Sequence, residues 1–138
     1  MRVKLDRVEV RTHRIGEFVE ITALVAEAVA RSGVREGVAL VRSRHTTAAV
    51  TCSEPDPRLH EDMRDAVTET FPVSRRYRHM EEGAENAVAH LATSLLFGES
   101  TWAPVRGGRL DLGTWQHLYV VELYEGRMRE VDVAVLGE

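Results

Sequence analysis

The chain has 138 residues, enough to build one hydrophobic core and too few for two. Apolar residues make up 43% and aromatics only 6%, so the interior is expected to be mostly Val, Leu and Ala. The 18 basic residues are outnumbered by 22 acidic ones, and the formal charge of −4 argues against a general nucleic-acid binder, which needs a basic face to neutralise phosphates.

A single cysteine, Cys52, cannot make an internal disulfide, and no CxxC pair suggests a redox or zinc motif. No apolar run approaches the ~18 residues of a membrane span. The first ten residues, MRVKLDRVEV, lack the apolar region of a signal peptide, and the expected compartment is the cytoplasm.

In chain order, Val3, Leu5, Val8 and Val10 come close to alternating with charges, which predicts a strand with one wet face. After a turn at Gly16, Phe18 to Ile21 extend the sheet. Thr22 is expected to cap a helix through Ala30, with Gly33 as its left-handed stop. A second strand-rich stretch starts at Gly37 and passes through Arg42-Ser43-Arg44-His45 to Thr51, polar in its middle where a structural strand would stay apolar. Asp56 and Pro57 predict the start of a helix, Asp56 as cap and Pro57 at the first position, with Leu59, Met63, Ala66, Val67 and Thr70 on one face. A polar loop holding Arg75, Tyr77 and His79 follows. A third helix is predicted over Glu85–Phe97, where Asn86 and His90 share a face by their i, i+4 spacing. The remainder reads as β: Trp102–Val105, a Gly107-Gly108 turn, Leu110–Leu112, then a hairpin of Trp115–Leu123 and Met128–Val135 around Glu125-Gly126. Three helices among about seven strands define a single α+β domain over residues 1–138.

The polar chemistry concentrates between His45 and Gln116. His45, His79 and His90 are imidazoles on three different elements, and three imidazoles plus water form a known zinc arrangement. Dispersed histidines more often have ordinary structural or surface roles. Glu54 and Asp62 are the nearest carboxylates; they could serve as general base, hold Mg²⁺ or orient a histidine, or simply face water. Thr46 and Thr47 put two hydroxyls beside His45. No GxSxG elbow, Walker loop or GxGxxG follows a strand. Gly113-Thr114-Trp115-Gln116 combines a glycine, an indole and an amide, a grouping that reads as a pocket wall. Arg75, Arg76 and Arg78 form a local basic cluster, either a solvated loop or an anion contact.

Read together, His45-Thr46-Thr47-Ala48, Glu54, Asp62, Tyr77-Arg78-His79, Asn86, Ala89-His90-Leu91, Gly108-Arg109-Leu110, Leu112-Gly113-Thr114-Trp115-Gln116 and Glu122 occur in an order that resembles the YjbQ-like family, also called the secondary thiamine-phosphate synthase family. The likeness spans almost the whole chain. It implies a compact α+β fold with two packed β layers, assembled as a homotrimer. It further implies a pocket with His45, Glu54, Asp62 and Gln116 in catalytic roles, Thr46, Thr47, Asn86, Arg109 and Trp115 toward substrate, and His45, His79 and His90 toward a divalent metal, Zn or Mg. The activity implied is a transferase joining a pyrimidine pyrophosphate to a thiazole phosphate, so the expected partner is a small phosphorylated molecule, with no nucleic acid and no membrane. A zinc-dependent hydrolase and a non-enzymatic trimeric ligand-binding module are the alternatives. The segment Gly83-Ala84-Glu85-Asn86-Ala87-Val88 departs from the family's Gly-Asn-Ala-Asp-Ala-His pattern.

Overall fold

The computed structural model describes all 138 residues. The elements run β1 (Arg2–Arg11), β2 (Phe18–Glu20), α1 (Thr22–Ser32), β3 (Gly37–Ser43), β4 (Ala48–Ser53), α2 (Pro57–Thr70), α3 (Ala84–Ala92, continued by a π turn Thr93–Phe97), β5 (Ser100–Arg106), β6 (Arg109–Leu110), β7 (His117–Glu122) and β8 (Met128–Gly137). Two antiparallel sheets result: a large one in the order β1-β8-β3-β5-β6 and a small one in the order β2-β7-β4.

The main core lies between the sheets and α1. Ala39, Val41, Val131, Val133 and Val135 from the large sheet meet Ala48, Val50, Leu118 and Val120 from the small one. Because side chains alternate along a strand, the next residues of β4 and β7 point the other way. Ala49 and Val121 pack with Ala89 and Ala92 of α3. The small sheet is therefore buried on both faces, which explains its near-continuous apolar sequence.

β1 is less simple than alternation suggests. Its apolar residues change parity between Leu5 and Val8, yet β1 pairs with β8 in unbroken register from Arg2 to Arg11. Val10 is thus buried, while Val3 and Leu5 are 56% and 80% exposed on the opposite face. Across the large sheet Leu5 sits beside Ala134, then Leu40, then Trp102; Val3 sits beside Leu136, Val38 and Pro104. Two apolar rows thus cross the outer face.

Helix ends follow their local chemistry in two places. Gly33 closes α1 at φ 73°, a conformation favoured only without a Cβ. Asp56 caps α2 by accepting from the Arg58 N–H at 2.9 Å, with Pro57 at the first helical position. Thr22 is not a cap: its hydroxyl accepts from the Leu118 N–H at 2.9 Å and ties α1 to β7 instead. On α2 the buried residue is His60, stacked flat on Phe18 with ring centroids 4.1 Å apart, while Ala66 and Thr70 are exposed. The buried side of α3 is made mostly of small residues, Ala87, Ala89 and Ala92, beside Asn86 and Val88, whereas Leu95 and Leu96 face outward within the π turn.

The expected β7–β8 hairpin does not form. β7 pairs with β2 and β4, and β8 with β1 and β3, so the chain changes sheets between Glu122 and Met128. A buried ion pair marks this crossing. The Arg129 guanidinium grips the Glu122 carboxylate with two nitrogens, its Nε at 2.8 Å, and both residues are essentially inaccessible.

Candidate functional site

The Glu122 carboxylate is fully hydrogen-bonded. One oxygen accepts from the Thr12 hydroxyl and from Arg129 Nε; the other accepts from Arg129 Nη2 and, at 3.0 Å, from the Tyr124 N–H. Arg129 Nη2 also donates to Thr47 Oγ1 at 3.2 Å. Next to it, the Glu130 N–H donates to His45 Nε2 at 2.8 Å, and the His45 N–H donates to Ser43 Oγ at 3.1 Å. Since Nε2 accepts, a neutral His45 carries its proton on Nδ1. Burial, aided by the Arg129 charge, holds the His45 pKa below its ordinary value. The His45–Thr47 turn is thus fixed from beneath by the ion pair.

This turn borders a polar cavity of about 370 Å³ with Arg42, Arg44, Thr93, Glu99 and Asp132 on its walls. Two of these groups are already paired, Arg44 Nη1 with Asp132 at 3.0 Å. Thr93 Oγ1 is buried without a hydrogen-bond partner, and so is Asn86 Oδ1 on α3.

A second, larger cavity of about 920 Å³ opens between the loop after α2 and the face of α3. Its walls are Arg75, Arg76, Tyr77, Arg78, His79, Ala87, His90 and Leu91. Tyr77 pins the loop by donating from its hydroxyl to the Pro72 carbonyl at 2.8 Å, and the Arg75 guanidinium lies 5.5 Å from the Tyr77 ring centre. The His79 and His90 rings meet edge to face, centroids 5.0 Å apart. No carboxylate lines this groove; Glu81, 3.6 Å from His79 Nδ1, stands outside it. In a protein of net charge −4, a wall with three guanidinium groups is a concentrated positive region.

The sequence-predicted site residues do not all converge. His79 and His90 come together, and His45 lines the other cavity with Thr46. No three His, Cys, Asp or Glu residues of the chain stand close enough to hold a metal ion, so the residues present do not assemble the three-imidazole site within one chain. Glu54 and Gln116 lie at the far end of the small sheet: Ser53 pairs with His117, whereas Ala48 pairs with Glu122 beside the His45 turn. The strand rise of ~3.3 Å per residue from Ala48 to Ser53 puts roughly 16 Å between those ends. Asp62 is exposed on α2 and Arg109 is exposed on β6. Gln116 Oε1 accepts from the Gly113 N–H at 2.8 Å and closes its own turn. Trp115 is 67% exposed, so the glycine, indole and amide form an open surface knuckle rather than a buried wall. Sequence reasoning missed Arg129, whose setting between Met128 and Glu130 gives no sign of burial, and it left His60 without a role.

The fold and these cavities define a small α+β protein with two antiparallel sheets and a cationic groove against its third helix. The chain belongs to the family described as UPF0047 protein YjbQ-like, whose model matches residues 6–138. It is 38% identical to a UPF0047 protein of Methanothermobacter thermautotrophicus over 138 residues, covering 100% of this chain and 95% of that one. It is 34% identical to the UPF0047 protein YugU of Bacillus subtilis, covering 96% and 99% respectively. Among solved structures, a YbjQ-like protein of unknown function from Sulfolobus solfataricus superposes with a TM-score of 0.91 at 37% identity, with 99% of each chain covered. A hypothetical protein from Aeropyrum pernix gives a TM-score of 0.87 at 35% identity, covering 98% of this chain and 99% of that one. None of these descriptions includes a thiamine-phosphate synthase activity.

Proposed function

We propose that the arginine-lined groove binds the phosphate or pyrophosphate group of a small molecule, and that the chain is a transferase of the thiamine-phosphate synthase type. The observation that carries the anion reading is the composition of the groove: Arg75, Arg76 and Arg78 with His79 and His90, and no carboxylate to compete. Guanidinium groups pair with phosphate oxygens through two parallel N–H bonds, which suits a departing pyrophosphate. In the reaction a carbon–nitrogen bond forms between the pyrimidine's methylene and the thiazole nitrogen while the carbon–oxygen bond to pyrophosphate breaks. The groove's cations stabilise the negative charge that accumulates on that leaving group. No step is assigned to a protein-bound metal, because the chain offers no three-ligand cluster.

The reading is tested by incubating purified protein with the pyrimidine pyrophosphate, the thiazole phosphate and Mg²⁺, and following thiamine phosphate by chromatography. Product that disappears in an Arg76→Ala, Arg78→Ala double variant supports it. Pyrophosphate binding without turnover reduces the chain to a ligand-binding module; neither binding nor product removes the proposal.

The homotrimer belongs to the same proposal. Its physical support is the outer face of the large sheet, where Leu5, Trp102, Val38 and Leu40 are 80%, 66%, 40% and 39% exposed in continuous rows. A patch of this kind on a sheet favours burial against another surface. Light scattering should give three times the protomer mass of 15.5 kDa, and Leu40→Lys should shift it toward the monomer.

A further inference from the structure

Behind the groove, between α2, α3 and the end of β7, lies a separate apolar cavity of about 220 Å³. Its floor is Phe71, Val88, Val121 and Leu123, each no more than 8% exposed, and its mouth is flanked by Ile15 and Val73, which are 55% and 56% exposed. An apolar cavity of ~150 Å³ in another protein stays dry and takes up benzene, and this one is larger.

A second cavity of about 410 Å³ adjoins it, with Ile15, Gly16, Phe18 and Arg64 common to both walls. This neighbour is polar, walled also by Arg14, Glu17 and His60. Arg64 stands at the boundary and is held there. Its Nη1 donates to the Gly16 carbonyl at 2.9 Å, and its guanidinium carbon lies 5.9 Å from the centre of the Phe18 ring. Gly16 makes room for it, since a Cβ there would come within 2.6 Å of Arg64 Cδ. Arg64 forms no ion pair, and of its five N–H donors one is used on the Gly16 carbonyl. Glu17, by contrast, is already engaged by His13 and Arg14. Glu85 on the apolar cavity's α3 rim is the one carboxylate facing that space.

We infer that the paired cavities form a binding site for a small amphipathic acid, its ring or branched chain in the apolar cavity and its carboxylate on Arg64. The apolar cavity's size sets the body at about one aromatic ring with a short tether. The anchored guanidinium sets the charge of the head. This site shares no wall residue with the arginine-lined groove, so it stands or falls independently of the transferase reading.

The test titrates the full chain with 3-phenylpropionate and, in parallel, with the neutral 3-phenylpropanol, following backbone amides by two-dimensional NMR. The expected result is saturable shifts at Val67, Phe71, Val88 and Val121, with the acid binding at least about tenfold more tightly than the alcohol. Arg64→Met should abolish that preference. Val88→Phe should fill the cavity and remove both; should it fail to fold, Val73→Trp at the mouth serves the same purpose. Absence of saturable shifts at millimolar probe, or shifts confined to the arginine-lined groove, overturns the site. Equal affinity for acid and alcohol overturns the assigned head group.

Discussion

The two polar cavities beside α3 are built on opposite principles. Around His45 nearly every group is spoken for: Arg129 and Glu122 satisfy each other, Thr12, Thr47 and the Tyr124 amide take the remaining positions, and Nε2 of His45 is occupied by a backbone amide. In the arginine-lined groove one hydroxyl bond and two ring contacts hold the loop, Arg75 over Tyr77 and His79 against His90, and no carboxylate of the wall pairs with its guanidinium groups. The first arrangement fixes a geometry; the second keeps charge available. A buried network of the first kind is stiff only while it is complete, because any orphaned member suffers the low dielectric that strengthened it.

That contrast is most strongly tested at Arg129. Arg129→Met leaves Glu122 buried without its counter-ion and should destabilise the fold by about 3–5 kcal/mol, read from urea denaturation. Adding Glu122→Gln to the same chain should recover a large part of the loss. A single-site effect below about 1 kcal/mol would show that water reaches the pair. Next in size, Arg76→Ala or Arg78→Ala should lower pyrophosphate affinity about tenfold or more by calorimetry, as expected for removing a charged hydrogen-bond donor. Their stability should change by only about 0.5 kcal/mol, as at other exposed positions. Equal losses of stability and affinity would erase the distinction between the two regions.

Asp56→Ala removes the cap of α2, the helix from which the groove's loop departs, and should lower stability by about 1 kcal/mol. The gentlest expected effect is a pH slope at His60. Burial holds its pKa below the ordinary value, with the Arg64 charge acting in the same direction and the Glu54 carbonyl and Asp56 opposing. The unfolded chain therefore takes up the proton first. His60's contribution is complete above the unfolded pKa of about 6.5 and is lost as pH falls through the lower folded value. Thermal unfolding should show a shallower decline below pH 6.5 in His60→Gln than in the wild type. His45, shifted the same way by burial, accounts for part of the slope that remains.

Local signals predicted well wherever a residue acts on its own neighbours. Gly33 stops α1, Asp56 and Pro57 start α2, and the Gly107-Gly108 turn joins β5 to β6. They misled where a partner lies far along the chain. Glu125-Gly126 has the composition of a hairpin turn, yet the strands it joins belong to different sheets, a choice made by strand pairing with β1, β3, β2 and β4. On α3 the sheet surface of Ala49 and Val121 admits a close helix and is met by alanines. Of the candidate site, the basic loop is legible in composition, whereas the meeting of His79 with His90 is not given by their spacing, because the two lie on different elements. Arg129 could not, because a guanidinium between Met128 and Glu130 carries no mark of the carboxylate seven positions before it.

The place of β8 has a consequence for how the protein is made. It leaves the ribosome after both β1 and β3, yet it occupies the gap between them. Until synthesis reaches Gly137, β1 has no hydrogen-bonding neighbour and β3 is paired on one side only. The nascent chain therefore waits with two open strand edges, a condition that invites pairing with other molecules and favours chaperone cover until β8 slots in.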